Sequence, residues 1–273
     1  LKYIGEEGSI LKSLDKSGFI FSIKSAANIT LENLTFDTMG VVISDGSKDV
    51  TLKNCTVQNC GQGQVPYCYG IYLNNAEYCY FHNNYFTHNA HCFFGESVSN
   101  SEWIYNYFYE NEEALHLIGI SKNNHIAHNK LRYVGRIGIE IQDDATGILM
   151  EENDIRYMTG GCYGISFAAP YSRHGLILSN VLVGGTTFRW GAGIEVMGRV
   201  VVEQNIVYDW QEGIQFNTGY QEYLYGPVLD GATVQNNLLR NQAAIGIMKV
   251  ECGDTKNLVI RNNFIENSQL NGI

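Results

Sequence analysis

The sequence IAHNKLRYVGRIGIEI, residues 126–141, contains short runs in which apolar and polar side chains alternate. One run leads from Ile126 to Asn129, Leu131 continues it, and residues 138–141, GIEI, form another. Alternation with a period of two over four or five residues is typical of β-strands rather than helices. The stretch therefore predicts three short strands in roughly 25 residues, with a tight corner at Asn129.

Asparagine returns between two such runs along the whole chain, at intervals of 21 to 32 residues. A period of this size predicts a solenoid in which each repeat forms one coil. We expect each asparagine to take the left-handed conformation that a sharp bend needs. We also expect its amide to bond to the amides of the coils above and below. The asparagines are Asn33, Asn54, Asn84, Asn106, Asn129, Asn153, Asn180, Asn205, Asn237 and Asn263.

A glycine opens the third strand of most coils. These glycines are Gly40, Gly70, Gly138, Gly164, Gly193, Gly213, Gly246 and Gly272. The corner asparagine followed by a G-I-x-I run resembles the right-handed parallel β-helix superfamily, the pectate-lyase-like fold. The resemblance implies an all-β, single-stranded right-handed parallel β-helix solenoid of about ten coils with three short strands per coil. This fold hosts polysaccharide lyases, glycoside hydrolases, epimerases, phage tailspikes and adhesins, so it leaves the function open.

The repeat pattern covers residues 1–273, which we expect to form one parallel β-helix domain. The sequence begins and stops within a coil, which would expose strand edges at both ends. We therefore expect a fragment of a longer chain whose end caps are missing, and a signal sequence would be lost in the same way. The superfamily implies an extracellular location, or one at the surface of a cell or virion.

The formal net charge is −10, from 28 acidic and 18 basic residues. This charge disfavours nucleic acid as a partner. No apolar run approaches the roughly 18 residues of a membrane span, so no membrane partner is expected. A neutral glycan, or a uronate met by local arginines, fits better. The seven cysteines match no zinc spacing and are interpreted as small core residues, with a Cys60–Cys68 bridge as the alternative.

The resemblance places the functional site on the outward positions of the glycine-marked strand, with long loops on either side. A row of outward side chains along a rod is suited to binding an extended polymer. The row is apolar at its first end, ionisable in the middle and amide-rich towards the last coils. Its members are Val42, Tyr72, Phe94, His116, Glu140, Ser166, Glu195 and Gln215.

Glu140 and Glu195 share one strand position two coils apart, or about 9.6 Å at the usual spacing between strands. Inverting glycosidases separate their two carboxyl groups by roughly 6.5–9.5 Å. One carboxyl would protonate the leaving oxygen and the other would activate a water molecule, with the small Ser166 leaving room for a sugar. The alternative is that both glutamates simply face water on an exposed strand.

Residues 142–144, Gln-Asp-Asp, resemble the QDD motif of polygalacturonase-type hydrolases, and residues 173–175, Arg-His-Gly, partly resemble their histidine-glycine motif. The aspartate motif upstream and the R-x-K motif downstream are absent. The resemblance makes Asp143 or Asp144 a substitute catalytic acid. The pair is also a possible Ca²⁺ ligand set, although it falls short of six to eight oxygens. No other cofactor is expected.

Six of the eight arginines lie between Arg132 and Arg199, in the coils that hold the two glutamates. Arginine binds carboxylate and sulfate through paired hydrogen bonds, so this crowding suggests a site, and ordinary surface ion pairs are the alternative. Loops 184–192 and 218–230 carry aromatic rings that could stack on sugars. The residues expected to bind substrate are His116, Tyr171, Arg173, His174, Arg189, Trp190, Arg199 and Gln215.

Three functions remain open at this point. The first is a carbohydrate-active enzyme that cleaves a polysaccharide, by hydrolysis through Glu140 and Glu195. The second is the non-catalytic, glycan-binding shaft of a tailspike or adhesin, possible as a homotrimer with Tyr105, Tyr107 and Tyr109 at its interface. The third is a lyase or epimerase that acts on uronates. In each case the expected partner is a polysaccharide or an oligosaccharide.

Overall fold

The computed structural model describes residues 1–6, 8–12, 18–61, 69–161, 163–185, 191–217, 229–250 and 255–273. The regular elements in these ranges are β-strands, and they form three long parallel sheets of 11, 11 and 10 strands. The chain visits the three sheets in turn, so each coil gives one short strand to each sheet. The predicted all-β solenoid of about ten coils is confirmed. Within the described ranges, no helix has the length and hydrophobicity needed to cross a membrane.

The strands of each sheet pair in the order in which they occur along the chain. The first sheet consists of Lys2–Ile4, Ala27–Glu32, Lys48–Lys53, Glu77–His82, Glu102–Ile104, His125–Ala127, Ile148–Glu151, Gly175–Leu178, Val201–Glu203, Thr233–Gln235 and Val259–Arg261. The second sheet consists of Ile10–Lys12, Thr35–Asp37, Thr56–Gln58, Tyr85–Thr87, Tyr107–Tyr109, Lys130–Arg132, Asp154–Arg156, Val181–Val183, Ile206–Tyr208, Leu238–Arg240 and Phe264–Glu266. The third sheet consists of Phe21–Lys24, Val41–Ser44, Tyr69–Asn74, His91–Glu96, Glu113–Ile118, Ile137–Gln142, Tyr163–Ala168, Ala192–Val196, Glu212–Phe216 and Ile245–Lys249. Two short pairs complete the set: Ile120–Lys122 with Asp144–Thr146, and Leu229–Asp230 with Thr255–Lys256.

The inward side chains of the three sheets form one continuous apolar core. In the first sheet Phe81 pairs with Trp103, and their rings stack with centroids 5.4 Å apart. In the second sheet Phe86 and Phe108 stack at 4.9 Å. All four side chains are buried. Since every second residue of a strand points to the same face, the alternation in the sequence supplies one inward row for each sheet.

Cysteines form part of this core. Cys55, Cys79 and Cys92 are buried free thiols, and burial raises the pKa of Cys79 to about 12. Cys60 is buried in the same cluster. These four positions agree with the interpretation of cysteine as a small core residue. Cys68, the partner in the alternative disulfide, lies outside the described residues.

The glycine at the start of the third-sheet strands has a packing reason. A Cβ atom on Gly138 would lie 2.4 Å from the carbonyl oxygen of Gly164, its equivalent in the next coil. A Cβ atom on Gly164 would lie 2.9 Å from the carbonyl oxygen of Gly193. Two coils place Cys92 and Ala114 at this position, and both are fully buried. From the coil of Gly40 to that of Gly246 the position therefore holds small residues, because neighbouring coils approach each other closely there.

The bend at the asparagine corner is made by the residue that precedes the stacked asparagine. Tyr105 and His128 have left-handed φ angles of 58° and 54°, and they precede Asn106 and Asn129. The prediction that the asparagine itself is left-handed is therefore wrong from Asn84 onwards. The bend residue points its side chain to the outside, whereas the residue after it can point inward and stack along the axis.

The first two coils differ from this rule. Asn33 and Asn54 occupy the bend themselves, with φ angles of 56° and 53°. The stacking position is taken by the residue after each of them, Leu34 or Cys55. The backbone amide of Cys55 donates a 2.9 Å hydrogen bond to Oδ1 of Asn84, which identifies Cys55 as the equivalent of Asn84. In these two coils the asparagine of the repeat therefore lies one residue before the stacking position.

From the third coil onwards the asparagine side chains form an unbroken ladder, as predicted. Oδ1 of Asn129 accepts hydrogen bonds from the backbone amide of Asn106 at 2.9 Å and from its Nδ2 at 3.0 Å. Nδ2 of Asn129 donates to Oδ1 of Asn153 at 2.9 Å and to the carbonyl oxygen of Trp103 at 2.8 Å. Each amide thus satisfies backbone groups that the corner removes from water. The ladder contains Asn84, Asn106, Asn129, Asn153, Asn180, Asn205, Asn237 and Asn263.

We expect Asn129→Ala to lower the free energy of unfolding by about 3 kcal/mol, because it leaves buried backbone donors and acceptors without partners. The matched control is His128→Asn, which changes the adjacent residue but keeps a side chain that tolerates the left-handed bend. Urea unfolding followed by circular dichroism measures both variants. Equal, small losses in the two variants would contradict the stabilising role of the ladder.

Candidate functional site

The outward row of the third sheet has the register that the sequence predicts. Phe94 pairs with His116, and His116 pairs with Glu140. Glu140 pairs with Ser166, and Ser166 pairs with Glu195. The two glutamates thus occupy one strand position two coils apart. The residues that flank them in their strands, such as Ile139 and Ile141, lie in the core, so the glutamate side chains project from the outer face of the sheet.

Aromatic side chains occupy the first part of this face. The rings of Tyr69 and Phe94 stack with centroids 4.6 Å apart, and Tyr72 lies 5.5 Å from Tyr69. Phe94 in turn meets the ring of His116 edge to face at 5.0 Å. The aromatic end of the row therefore makes direct contact with its ionisable middle. The mutually stacked rings form an apolar patch beside the ionisable centre of the row.

His116 and Glu140 form the ionisable centre of the row. Nε2 of His116 lies 3.4 Å from Oε2 of Glu140, while Nε2 of Gln142 donates a 2.7 Å hydrogen bond to Oε1 of Glu140. Burial lowers the pKa of His116, against the opposing effect of the Glu140 charge. The imidazole is therefore neutral at neutral pH and able to accept a proton.

Glu195 lies deeper than Glu140. Its Oε2 accepts a 2.6 Å hydrogen bond from the hydroxyl of Ser166, and its Oε1 accepts a 2.9 Å hydrogen bond from Asn217. Burial raises the pKa of Glu195, and the charge of Glu140 adds to this rise, while hydrogen bonds from Ser166, Asn217 and Tyr163 oppose it. Glu195 therefore keeps its proton to a higher pH than an ordinary carboxyl group does.

Both glutamates are covered, since Glu140 is 7% exposed and Glu195 only 2%. The alternative that they simply face water on an open strand is therefore wrong. A buried carboxyl needs polar partners, and each of the two has them. For Glu195 this burial raises the pKa of the carboxyl group, as is common for groups in functional sites.

A third buried carboxylate, Glu113, joins this network, and the sequence pattern did not reveal it. Oε2 of Glu113 lies 2.5 Å from Nδ1 of His91 and 4.0 Å from Nδ1 of His116. Arg136 forms an ion pair with its other oxygen. Glu113 is 1% exposed, and its carboxylate lies close to His91, His116 and Arg136. The ionisable network thus extends across three coils, from His91 to Glu140.

Glu113, His91 and Tyr163 share the position that directly precedes the glycine mark or its equivalent. They form one row by register, from His91 to Glu113 and onwards to Tyr163 by way of Ile137. This position lies three residues before the outward row, so a strict period of two predicts that it points inward. The sequence pattern therefore did not identify it as part of the outer face. The polar residue found there in several coils was the signal that could have indicated it.

Asp143 and Asp144 lie at the corner that follows the third sheet. Oδ2 of Asp143 accepts a 3.0 Å hydrogen bond from the backbone amide of Gly119, and Asp143 has a left-handed φ of 66°. Asp144 begins the short strand that pairs with Ile120–Lys122. Asp143 therefore stabilises a corner. Among the described residues no group of three or more His, Cys, Asp or Glu side chains could hold a metal ion.

Three of the other residues expected to bind substrate lie at the equivalent corner of the next coil. Tyr171, Arg173 and His174 are exposed in the loop after the strand Tyr163–Ala168. Ser172 in this loop donates a 3.0 Å hydrogen bond to the carbonyl oxygen of Arg199, so the two neighbouring corners are in contact.

Arg199 and Gln215 are two further residues expected to bind substrate. The guanidinium group of Arg199 lies 3.4 Å from Asp230. Gln215 is half-buried and pairs with Glu195 in the third sheet. Arg189 and Trp190 lie outside the described residues.

The crowding of arginines in the sequence does not produce one cluster in space. Arg132 and Arg156 lie on the second sheet, where both bind Asp154. Arg136 reaches the network around Glu113 instead. Within one coil, residues a few positions apart fall on different faces of the rod. The alternative of ordinary ion pairs is correct for Arg132 and Arg156.

Comparison with known families identifies the class of this protein. Residues 118–273 match the family described as right handed beta helix region, which is more than half of the chain. The chain therefore belongs to the right-handed parallel β-helix proteins, as the resemblance of its sequence implied. Residues 7–135 match the family described as periplasmic copper-binding protein (NosD). No curated protein matches the chain in sequence.

Several solved structures share the fold at low sequence identity. The periplasmic alginate epimerase AlgG superposes with a TM-score of 0.66 and 12% identity, covering 94% of this chain and 73% of its own. The alginate lyase from Paenibacillus sp. str. FPU-7 gives 0.64 and 14%, covering 92% of this chain and 99% of its own. PfbA, a surface adhesin of Streptococcus pneumoniae, gives 0.63 and 14%, covering 92% and 72%. At these identities the similarity shows the fold alone.

The raised pKa of Glu195 predicts a pH dependence of stability. Between the ordinary carboxyl pKa and the raised value, the folded state binds more protons than the unfolded state, so stability falls as the pH rises through this window. Relative to Glu195→Gln, the native chain should lose free energy of unfolding from about pH 4.3 upwards. Urea unfolding between pH 4 and 8 measures the difference. Glu6→Gln, an exposed control, should give a curve parallel to that of the native chain; a parallel curve for Glu195→Gln would contradict the prediction.

Proposed function

We propose that this chain is a carbohydrate-active enzyme that cleaves a polysaccharide bound along the outer face of the third sheet. One observation carries the proposal: a single register row leads from stacked aromatic rings to the half-buried His116, to the buried Glu140 and on to the buried Glu195. The aromatic patch would supply an apolar contact surface for the sugars, and the ionisable groups would transfer protons. The similar structures include an alginate epimerase and an alginate lyase, which supports a polysaccharide as the substrate class.

The chemistry that we propose first is glycoside hydrolysis by paired carboxyl groups. Glu195 would donate its proton to the glycosidic oxygen as the bond from that oxygen to the anomeric carbon breaks. Glu140 would take a proton from the water molecule that attacks the same carbon from the opposite face. The raised pKa of Glu195 suits the acid. The two-coil separation of about 9.6 Å leaves room for the water.

This assignment has an energetic cost. Both oxygens of Glu195 accept hydrogen bonds in the described structure, from Ser166 and Asn217. To reach a sugar, Glu195 must give up one of them, which costs about 1–3 kcal/mol for a buried polar group. A catalytic contribution of two to four orders of magnitude from a positioned acid exceeds this cost.

Elimination or epimerisation of a uronate is the second candidate, and His116 favours it. The lowered pKa of His116 keeps its imidazole neutral and ready to remove the proton next to the uronate carboxyl group. In elimination the electrons of that C–H bond form a C=C bond as the bond to the glycosidic oxygen breaks, and the leaving oxygen takes a proton from water. In epimerisation a proton from water returns to the same carbon from the opposite face. Arg136, whose side chain is 51% exposed, lies on the same network and could bind that carboxyl group. This route does not require Glu195 to leave its hydrogen bonds.

We also propose that the protein works outside the cytoplasm. The NosD family is described as periplasmic, AlgG is a periplasmic enzyme and PfbA is a surface adhesin. The substrate class agrees with this location, because structural polysaccharides are found at and beyond the cell envelope. Secretion to the surface of a cell or virion is the narrower form of the proposal.

Product analysis separates the chemistries. Under hydrolysis, Glu140→Gln and Glu195→Gln should each lower turnover by at least about 100-fold, since each removes a proton-transfer group. New reducing ends would form without ultraviolet absorbance. Under elimination, His116→Ala should cause the largest loss, and the unsaturated product would absorb in the ultraviolet. Pectate, alginate and neutral glucans are the substrates to compare.

Glu151→Gln is the control, because Glu151 lies on the first sheet and pairs with His125 there. It should retain full turnover. Thermal melting of each variant shows whether the fold is intact. If Glu140→Gln, Glu195→Gln and His116→Ala all turn over as fast as the native chain, the third-sheet face is not the active site. If the native chain binds these glycans without any product, the enzyme proposal fails and glycan binding alone remains.

A further inference from the structure

A second groove lies on another side of the rod, at the corner between the first and second sheets. It is an open cleft of about 520 Å³ lined by Tyr105, Asn106, Tyr107, His128, Lys130 and Arg132. None of these residues belongs to the third sheet, whose outer face carries the proposed active site. The groove is therefore separate from that face.

The asparagine corner itself creates this groove. Asn106 points inward to the ladder, so the residues on either side of it, Tyr105 and Tyr107, point outward. In the next coil the same geometry exposes His128 and Lys130 around Asn129. Tyr105 is 59% exposed and Tyr107 is 38% exposed. Two successive coils thus place two aromatic rings beside cationic side chains.

The rings are held in fixed orientations. Tyr105 stacks on His128, with ring centroids 4.8 Å apart and an interplanar angle of 11°. Tyr107 pairs in register with Tyr85, and their centroids are 5.6 Å apart. A tyrosine whose ring is supported from one side loses little entropy when a ligand covers its other side. Such rings are suited to stacking against the apolar face of a sugar.

The groove carries cationic side chains although the chain as a whole is acidic. The chain carries a net charge of −10, yet the ionisable side chains that line this groove are His128, Lys130 and Arg132. His128 pairs with Glu152, and Arg132 pairs with Asp154. Lys130 is exposed, and no ion pair involves it within the described part of the chain. The groove thus offers a cation to an anionic ligand.

We propose that this groove is a second carbohydrate-binding site, specific for an acidic oligosaccharide. A sugar ring of the oligosaccharide stacks on Tyr107, and a uronate carboxylate of the same oligosaccharide binds Lys130, with Arg132 close by. Aromatic faces alone would accept any sugar, so Lys130 supplies the selectivity for acidic residues. The site does not depend on catalysis at the third sheet, and a bound polymer would stay close to the rod between encounters with that sheet.

Binding of hexagalacturonate, measured by isothermal titration calorimetry at low salt, tests the proposal. Tyr107→Ala and Lys130→Glu should each weaken binding at the groove at least about tenfold, since one removes the stacking ring and the other reverses the charge. Tyr78→Ala and Lys122→Glu are matched controls, because they change an exposed tyrosine and an exposed lysine elsewhere on the rod. Both controls should bind as tightly as the native chain. Maltohexaose, a neutral hexamer, should bind the groove at least about tenfold more weakly than hexagalacturonate.

The same titration in Glu140→Gln separates this site from the proposed active site. Binding at the groove should be unchanged there, whether or not that variant has lost turnover. The proposal is overturned if Tyr107→Ala and Lys130→Glu bind hexagalacturonate as the controls do, or if maltohexaose binds equally well. It is also overturned if sedimentation shows a homotrimer that Tyr107→Ala dissociates while hexagalacturonate does not bind, because the tyrosines would then form a subunit interface.

Discussion

The pairing of each coil with the next is the constraint on which the rest of this structure depends. Backbone hydrogen bonds hold the strands in register, and the asparagine ladder fixes the register at the corner where the backbone cannot pair with itself. Once the register is fixed, any strand position becomes a straight row along the rod. Both the proposed active site and the second groove are built from such rows, which lie on different faces of the rod.

The same constraint explains which features could be predicted from the sequence. Apolar and polar alternation predicted the outward row from Tyr72 to Gln215 correctly. With a period of two, the position of the glycine fixes which of the residues after it point outward. Register then placed Glu140 and Glu195 two coils apart. The ladder from Asn84 onwards followed from the same repeat. These properties depend on position within a coil, which sequence periodicity records directly.

Other features depend on neighbours from different coils, which a single sequence does not order in space. The partners of buried Glu195 are Tyr163 and Ser166 from the strand of the preceding coil and Asn217, which directly follows the strand of the next coil. Arginine crowding was misleading for the reverse reason, since Arg132 and Arg136 are close in sequence but lie on different faces. The bend residue was assigned one place too late because asparagine suits both the bend and the ladder, and only the backbone angles distinguish the two.

The ladder also has a direction. In every rung from Asn84 to Asn237 the side-chain amide donates to the carbonyl of the following asparagine, so all of these dipoles point the same way along the axis. Aligned hydrogen bonds polarise one another. A run of parallel amides is the counterpart, in an all-β rod, of the aligned peptide dipoles of a helix. The ladder therefore adds a dipole along the axis of the rod, in addition to the field of the charged residues on its surface.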